Sequence, residues 1–188
     1  MSTTHLGPTA FAVMTAQRFE EAWTLDDFVA RAKENAELWA TTTRRAAVDD
    51  DARVRAVGIA ERVHVYVLLA DWCTDALGSI PWIARLVEAM PDATLRCMDR
   101  DQALDVMDAH LTGTARSIPV VLLYDAEFRE LGWWGPRPMA LHEWVIGEGQ
   151  RVDKDERNRH KRAWFARDRG RSSVEEVLAL LERATGRG

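Results

Sequence analysis

The chain has 188 residues, 47% hydrophobic and 29% charged, with a formal net charge of −5. That is enough for one domain with a sizeable core, and the acidic balance excludes a surface that attracts nucleic acid over its whole extent. Two cysteines, Cys73 and Cys97, exclude a disulfide scaffold, and no run approaches the roughly 18 apolar residues of a membrane span.

Residues 1–20 read as a loosely held arm. They lack the basic start and apolar run of a secretory signal, so the expected location is a reducing cytoplasm. Thr24 followed by Asp27 marks a helix start. Leu25, Phe28, Val29, Ala32, Ala36 and Trp39 then recur at helical spacing, which predicts one helix to about residue 45. Asp49 to Asp51 begin a second, with Ala52, Val54, Val57 and Ile59 inside it. Residues 62–70, RVHVYVLLA, pass from alternation to a continuous apolar run, as in a strand buried on both faces.

Residues 74–90 predict a helix interrupted or kinked at Pro81. A strand over 93–98, a helix over 101–111, and strands over 119–125 and 130–134 follow. Helical crossovers between the first three strands imply parallel neighbours. The last two are joined too tightly for that and predict an antiparallel hairpin. Helices are expected over 139–147 and 153–168, and a third from Ser172 or Ser173, where Ser172 and Glu175 fit a capping box. The expected product is an α/β fold, a mixed sheet covered by helices.

The chemistry concentrates at Cys73, between the apolar strand and the helix. A thiol in the first turn of a helix meets unpaired N–H groups and the positive end of the dipole, which lowers its pKa. Trp72 can shield one side of the sulfur. Asp71 and Asp75 oppose thiolate, and Arg116 offsets them if its loop folds over the site. The competing reading is a small buried residue, since free cysteine is among the most buried types.

Three segments, DWCTDALGSIP (71–81), ARSIPVVLLYD (115–125) and GWWGPRP (132–138), resemble the thioredoxin-like superfamily. They are closer still to bacterial thioredoxin-family proteins whose site reads Trp-Cys-Gly-Asp-Cys. Trp72-Cys73 falls at the strand–helix junction, and Pro81 follows where thioredoxins bend the active-site helix. Ser117-Ile118-Pro119 stands where the superfamily has a cis-proline facing the cysteine. The resemblance implies a four-stranded thioredoxin-like core with extra helices at both ends, within one domain over 1–188. Its parts are a helical extension over 1–60, a core over 61–138 and C-terminal helices over 139–188. It also implies thiol–disulfide exchange with Cys73 attacking, and Trp72, Ile118 and Pro119 binding an extended substrate.

Two positions depart from the family. Ala76 stands where the resolving cysteine would be, and Val67 where thioredoxin buries an acid. The dithiol cycle is therefore unavailable. What remains is a monothiol cycle completed by an external thiol such as glutathione, or resolution by Cys97, whose simpler reading is a core residue. A non-catalytic thioredoxin-fold binding protein that uses the groove beside Pro119 is the alternative. Expected partners are a protein or a low-molecular-weight thiol or disulfide, with no membrane; the oligomeric state stays open.

Other groups carry less. His5, His64, His110, His142 and His160 lack metal-ligand spacing, and no phosphate loop or other cofactor motif is present. The acids at 99–101 read as a strand end and helix cap. Residues 151–171 hold nine basic and four acidic side chains around Trp164 and Phe165. An amphipathic helix with solvated charges is preferred there over a nucleic-acid surface. Trp133 and Trp134 should face opposite ways, one into the core and the other toward an apolar rim near the thiol or under a C-terminal helix. Lysine occurs only at 33, 154 and 161, the other basic residues being arginine, a pattern read first as codon usage.

Overall fold

The computed structural model describes residues 13–186. The expected arm therefore lies outside the described residues up to residue 12. From Met14 on, the chain is held rather than loose. Thr15 caps α1 (Ala16–Glu20) by accepting from the Arg18 amide. Phe19 is fully buried, edge-on to His64, and Arg18 grips Asp105 with two hydrogen bonds of 2.6 Å.

The single helix expected to residue 45 is two: α2 (Leu25–Arg31), capped by Thr24, and α3 (Ala36–Arg45). The break has a tertiary cause. The Asp71 carboxylate accepts from the amides of Lys33 (2.7 Å) and Glu34 (3.0 Å), and Asn35 takes a left-handed conformation, φ 54°, which Asn tolerates better than most residues. Asp49 caps α4 (Asp50–Gly58). Its inward face is Ala52 and Ala56, whereas Val54 and Val57 are exposed and Ile59 lies just past the helix, fully buried. Small residues at i and i+4 let α4 approach its neighbours closely, which the valine pattern had hidden.

The central strand β1 (Val63–Leu69) is buried almost throughout. After α5 (Thr74–Ala89), β2 (Ala93–Asp99) returns parallel to it, with Val67 opposite Cys97. Asp99 then caps a short 3₁₀ turn and α6 (Leu104–Ala109) follows. Next come β3 (Val120–Tyr124) and β4 (Glu130–Trp134), which form the antiparallel hairpin. The sheet order is β2-β1-β3-β4. Here one expectation fails: β3 runs antiparallel to β1, with Leu68 opposite Val120. The cause is length. Six helical residues rise only about 9 Å, too little to carry the chain back to the far end of the sheet, so β3 starts at the edge where β2 ended.

Three helices complete the chain: α7 (Met139–Ile146), α8 (Lys154–Asp168) and α9 (Arg171–Ala184). The Ser172–Glu175 capping box does not form. Arg169 and Gly170 are both left-handed and start α9 at Arg171, while Ser172 gives its amide and hydroxyl to Asp168. Glu175 instead pairs with Arg55 of α4 at 2.7 Å. Phe165 of α8 lies against Gly78 of α5, where any added Cβ would strike the ring. A mixed four-stranded sheet covered by helices thus stands as the fold. Among the described residues, no helix is long and apolar enough to cross a membrane.

Candidate functional site

β1 delivers the chain to Ala70, a tight turn closes with the Cys73 amide donating to the Ala70 carbonyl at 3.0 Å, and α5 begins. Cys73 is the N-cap residue. Its Sγ accepts from the Ala76 amide at 3.5 Å, where Ser, Thr or Asp would normally serve. From the other side, the thiol hydrogen points at the Ile118 carbonyl, 3.3 Å away. The Ile118–Pro119 peptide is cis. Gly135 lies against Pro119 with φ +139°, and a Cβ there would collide with the Pro119 carbonyl. The GPRP segment is thereby seated on the loop that faces the sulfur.

The thiol is 7% exposed. Burial pushes its pKa above the ordinary value, and the Asp75 charge pushes the same way. The amides of Ala76 and Asp75, followed by the Lys161 ammonium, pull down by less. The expected helix-terminus effect therefore exists but loses to desolvation: the resting group is a protonated thiol, not a primed thiolate. This corrects the expectation of a lowered pKa.

Asp75 is 2% exposed and clamped by two cations. Arg137, carried by GPRP, approaches one oxygen at 2.6 Å, and Lys161 of α8 approaches the other at 2.7 Å. Neither cation had been singled out. Asp71 does not act on the sulfur as expected; its carboxylate is committed to the amides at 33 and 34, while its carbonyl accepts from Trp39 Nε1 at 2.8 Å. Arg116 reaches the cleft but is held by Asp108 at 2.6 Å.

A cleft of about 450 Å³ opens over the thiol. Trp72, 48% exposed, forms one side with the Arg100 guanidinium over its ring at 5.3 Å. Ser117 and Ile118 form another, and Lys154, Asn158, Lys161 and Arg162 of α8 a third. The rim is cationic, not apolar. Neither Trp133 nor Trp134 lines it: Trp134 is buried with its Nε1 donating to Glu176, and Trp133 lies edge-on to His110. The α8 residues fall at i, i+4, i+7 and i+8, one helical face. Two of the chain's three lysines are on it, a signal that reading the lysines as codon usage concealed.

Cys97 is fully buried beside Val67, two residues before the end of β2, and burial pushes its thiol up strongly. It is a core residue and is not brought to Cys73. The described histidines are dispersed: His64 stacks on Phe128, His160 on Trp144, His110 meets Glu130, and His142 meets Arg137. His5 lies outside the described residues. Asp99 caps the turn after β2 by accepting from the Asp101 amide, as a strand-end acid should.

Among solved structures, a protein of unknown function from Pseudomonas aeruginosa superposes with TM-score 0.70 at 22% identity, covering 92% of this chain and 99% of that one. An HIV epitope-scaffold superposes with TM-score 0.69 at 20% identity, over 90% of this chain and 98% of that one. At such identities the likeness speaks for the fold. No curated protein matches. The sequence pattern of a family described as thioredoxin matches residues 22–157, from just before Trp23 into α8, and takes in the whole sheet, Cys73 and the Ile118–Pro119 loop, while Asn158, Lys161 and Arg162 of the cleft lie beyond it. By that match the chain belongs to the thioredoxin family.

Proposed function

We propose that the protein is a monothiol thiol–disulfide exchange protein of the Trp-Cys-Gly-Asp-Cys-like kind, with Cys73 as nucleophile. The observation that carries this reading is the sulfur's position: it caps α5 at the floor of an open cleft, 3.3 Å from the Ile118 carbonyl. Trp72 shields one side, and Ile118–Pro119 offers backbone for an extended substrate segment. The flanking helices and the core act as one domain, because Asp71 ties α3 and Asp75 ties α8 to the same site loop.

In the first step Cys73 loses its proton to solvent and attacks one sulfur of a disulfide. A Cys73–S bond forms, the substrate S–S bond breaks, and the departing thiolate takes up a proton. In the second step an external thiol attacks the mixed disulfide, a new S–S bond forms between that thiol and the substrate sulfur, and Cys73 is released. No net oxidant is consumed. Ala76 offers no second thiol, so the cycle waits on the external one, which a reducing cytoplasm supplies in abundance.

The test is intact mass after incubation with glutathione disulfide, against Cys73→Ser as the blank. One adduct, removed by a second thiol, supports exchange. The raised thiol pKa favours a second reading: a binding protein that uses the groove without turnover. An inert Cys73 across the alkaline range establishes that reading instead. Insulin reduction should stay at background in either case.

A further inference from the structure

We propose that the cleft over Cys73 selects small disulfides and thiols that carry negative charge, such as those bearing free carboxylates. This rests on the exchange reading above and names its substrate class. Six cations line the cleft against one acid, Asp75. Four of the six are already engaged. Arg137 and Lys161 hold Asp75, Arg100 pairs with Asp101 at 3.0 Å, and Arg116 pairs with Asp108 at 2.6 Å.

Lys154 and Arg162 are different. Both are exposed, both line the cleft, and neither side chain makes an ion pair or hydrogen bond with any described residue. Asn158 stands between them on the same helical face, with an amide that can donate and accept. The chain as a whole carries −5, so two free cations beside a thiol form a local field against the molecular trend. Such a field raises the local concentration of anions and repels cations. The size of the cleft, about 450 Å³, falls in the range of small-molecule sites. A tripeptide-sized disulfide bearing carboxylates meets both conditions: one sulfur reaches the floor while its carboxylates meet Lys154 and Arg162.

The experiment compares three disulfides of different charge: glutathione disulfide (anionic), 2-hydroxyethyl disulfide (neutral) and cystamine (cationic). Each rate of adduct formation at Cys73 is read by intact mass and divided by the rate of the same disulfide with an uncharged reference thiol. The normalised rates should fall in the order anionic, neutral, cationic, with about tenfold or more between the extremes at low salt. The spread should shrink in high salt and in the double variant Lys154→Gln/Arg162→Gln, whose rate with the anionic disulfide should fall by a larger factor than its rate with the neutral one.

Equal rates, or a preference that survives the double variant, overturn the selection while leaving exchange in place. A disulfide on a long acidic peptide reacting at least tenfold faster than glutathione disulfide overturns the small-molecule assignment. If Cys73 reacts with none of them, exchange is what fails. Calorimetric titration of Cys73→Ser with glutathione disulfide and with cystamine then decides the selection: anionic binding alone supports it, and equal or absent binding overturns it.

Discussion

Replacing Asp75 with Asn tests the electrostatics of the site from both ends. Asp75, Arg137 and Lys161 are all largely buried, with side chains 3%, 13% and 14% exposed, and the contacts are 2.6 and 2.7 Å. Asn keeps the shape and removes the charge, leaving two cations facing each other without a counter-ion. Breaking a buried pair in this way costs about 3–5 kcal/mol. The lower end applies, because the cleft gives both cations a path to water. For a chain of this size, about 2–4 °C of melting temperature accompanies each kcal/mol, so Asp75→Asn should melt about 6–12 °C lower by calorimetry. The thiol should move the other way. Asp75 is the second cause of its raised pKa, and the freed Lys161 already pulls it down. Each unit of fall raises the thiolate fraction tenfold and lowers the nucleophilicity of that thiolate by about threefold. The net gain is about threefold to fourfold per unit in the rate with a neutral disulfide near pH 7. A melting point within about 2 °C of the parent, or a slower Cys73, would refute the account of Asp75 as a clamped charge that adds to burial in keeping the sulfur protonated.

Gly135→Ala places a Cβ on the Pro119 carbonyl, which is backbone and cannot swing away. A loss of about 2 kcal/mol or more is expected in denaturant titration, against about 1 kcal/mol for Gly113→Ala, which shares a positive φ but has open space around it. Ala76→Cys puts a second thiol one helical turn from Cys73, within disulfide reach. Mild oxidation should then remove two hydrogens in the intact mass, and insulin reduction should rise above background; no mass change would show that the turn cannot close. Stability should fall as the solution becomes alkaline. Both thiols are raised in the folded state, so folding holds their protons longer than the unfolded chain does. Their contribution is complete below the ordinary thiol value and is lost above it, by about 1.4 kcal/mol per pH unit for each thiol. Cys97→Ala should remove one thiol's share of that slope between about pH 9 and pH 10; an unchanged slope contradicts the assignment.

The strands and α5 were legible in the sequence because their signals are local: β-branched apolar runs, a proline opening β3 and a turn short enough for a hairpin. Trp72, Cys73, Ile118 and Pro119 were legible as a group through the family resemblance, and the structure brings the Cys73 thiol to the Ile118 carbonyl. What escaped was decided at a distance. Nothing in residues 25–45 announces that Asp71 will take the amides at 33 and 34 and break the helix. The direction of β3 depended on how far α6 could climb. Residues 151–171 carry nine basic side chains against four acidic ones, a total that hides the one face of four α8 residues lining the cleft. The state of the thiol escaped for a quantitative reason. Sequence shows the helix terminus and the neighbouring acids, but the largest cause is burial, and burial is a property of the assembled fold.

The two acids beside Trp72-Cys73 are both committed to neighbouring elements, and Asp75 also bears on the thiol. Asp71 holds the N-terminal helices, and Asp75 holds the GPRP loop and α8, so the sulfur is pinned between both flanks of the chain. Asp75, which adds to the rise in thiol pKa that burial causes, also brings Lys161 inward and so sets the face of α8 on which Lys154 and Arg162 stand. An anion arriving there adds negative charge near the sulfur and disfavours thiolate further. Charge selection must therefore act by gathering substrate, not by activating the nucleophile. Its advantage belongs to the concentration at half-saturation, and the limiting rate belongs to the buried sulfur. Under the proposed exchange cycle, with no second thiol, this division is coherent: the mixed disulfide would persist until an external thiol arrived, and the cations proposed to admit the first anion would be in place to admit the second.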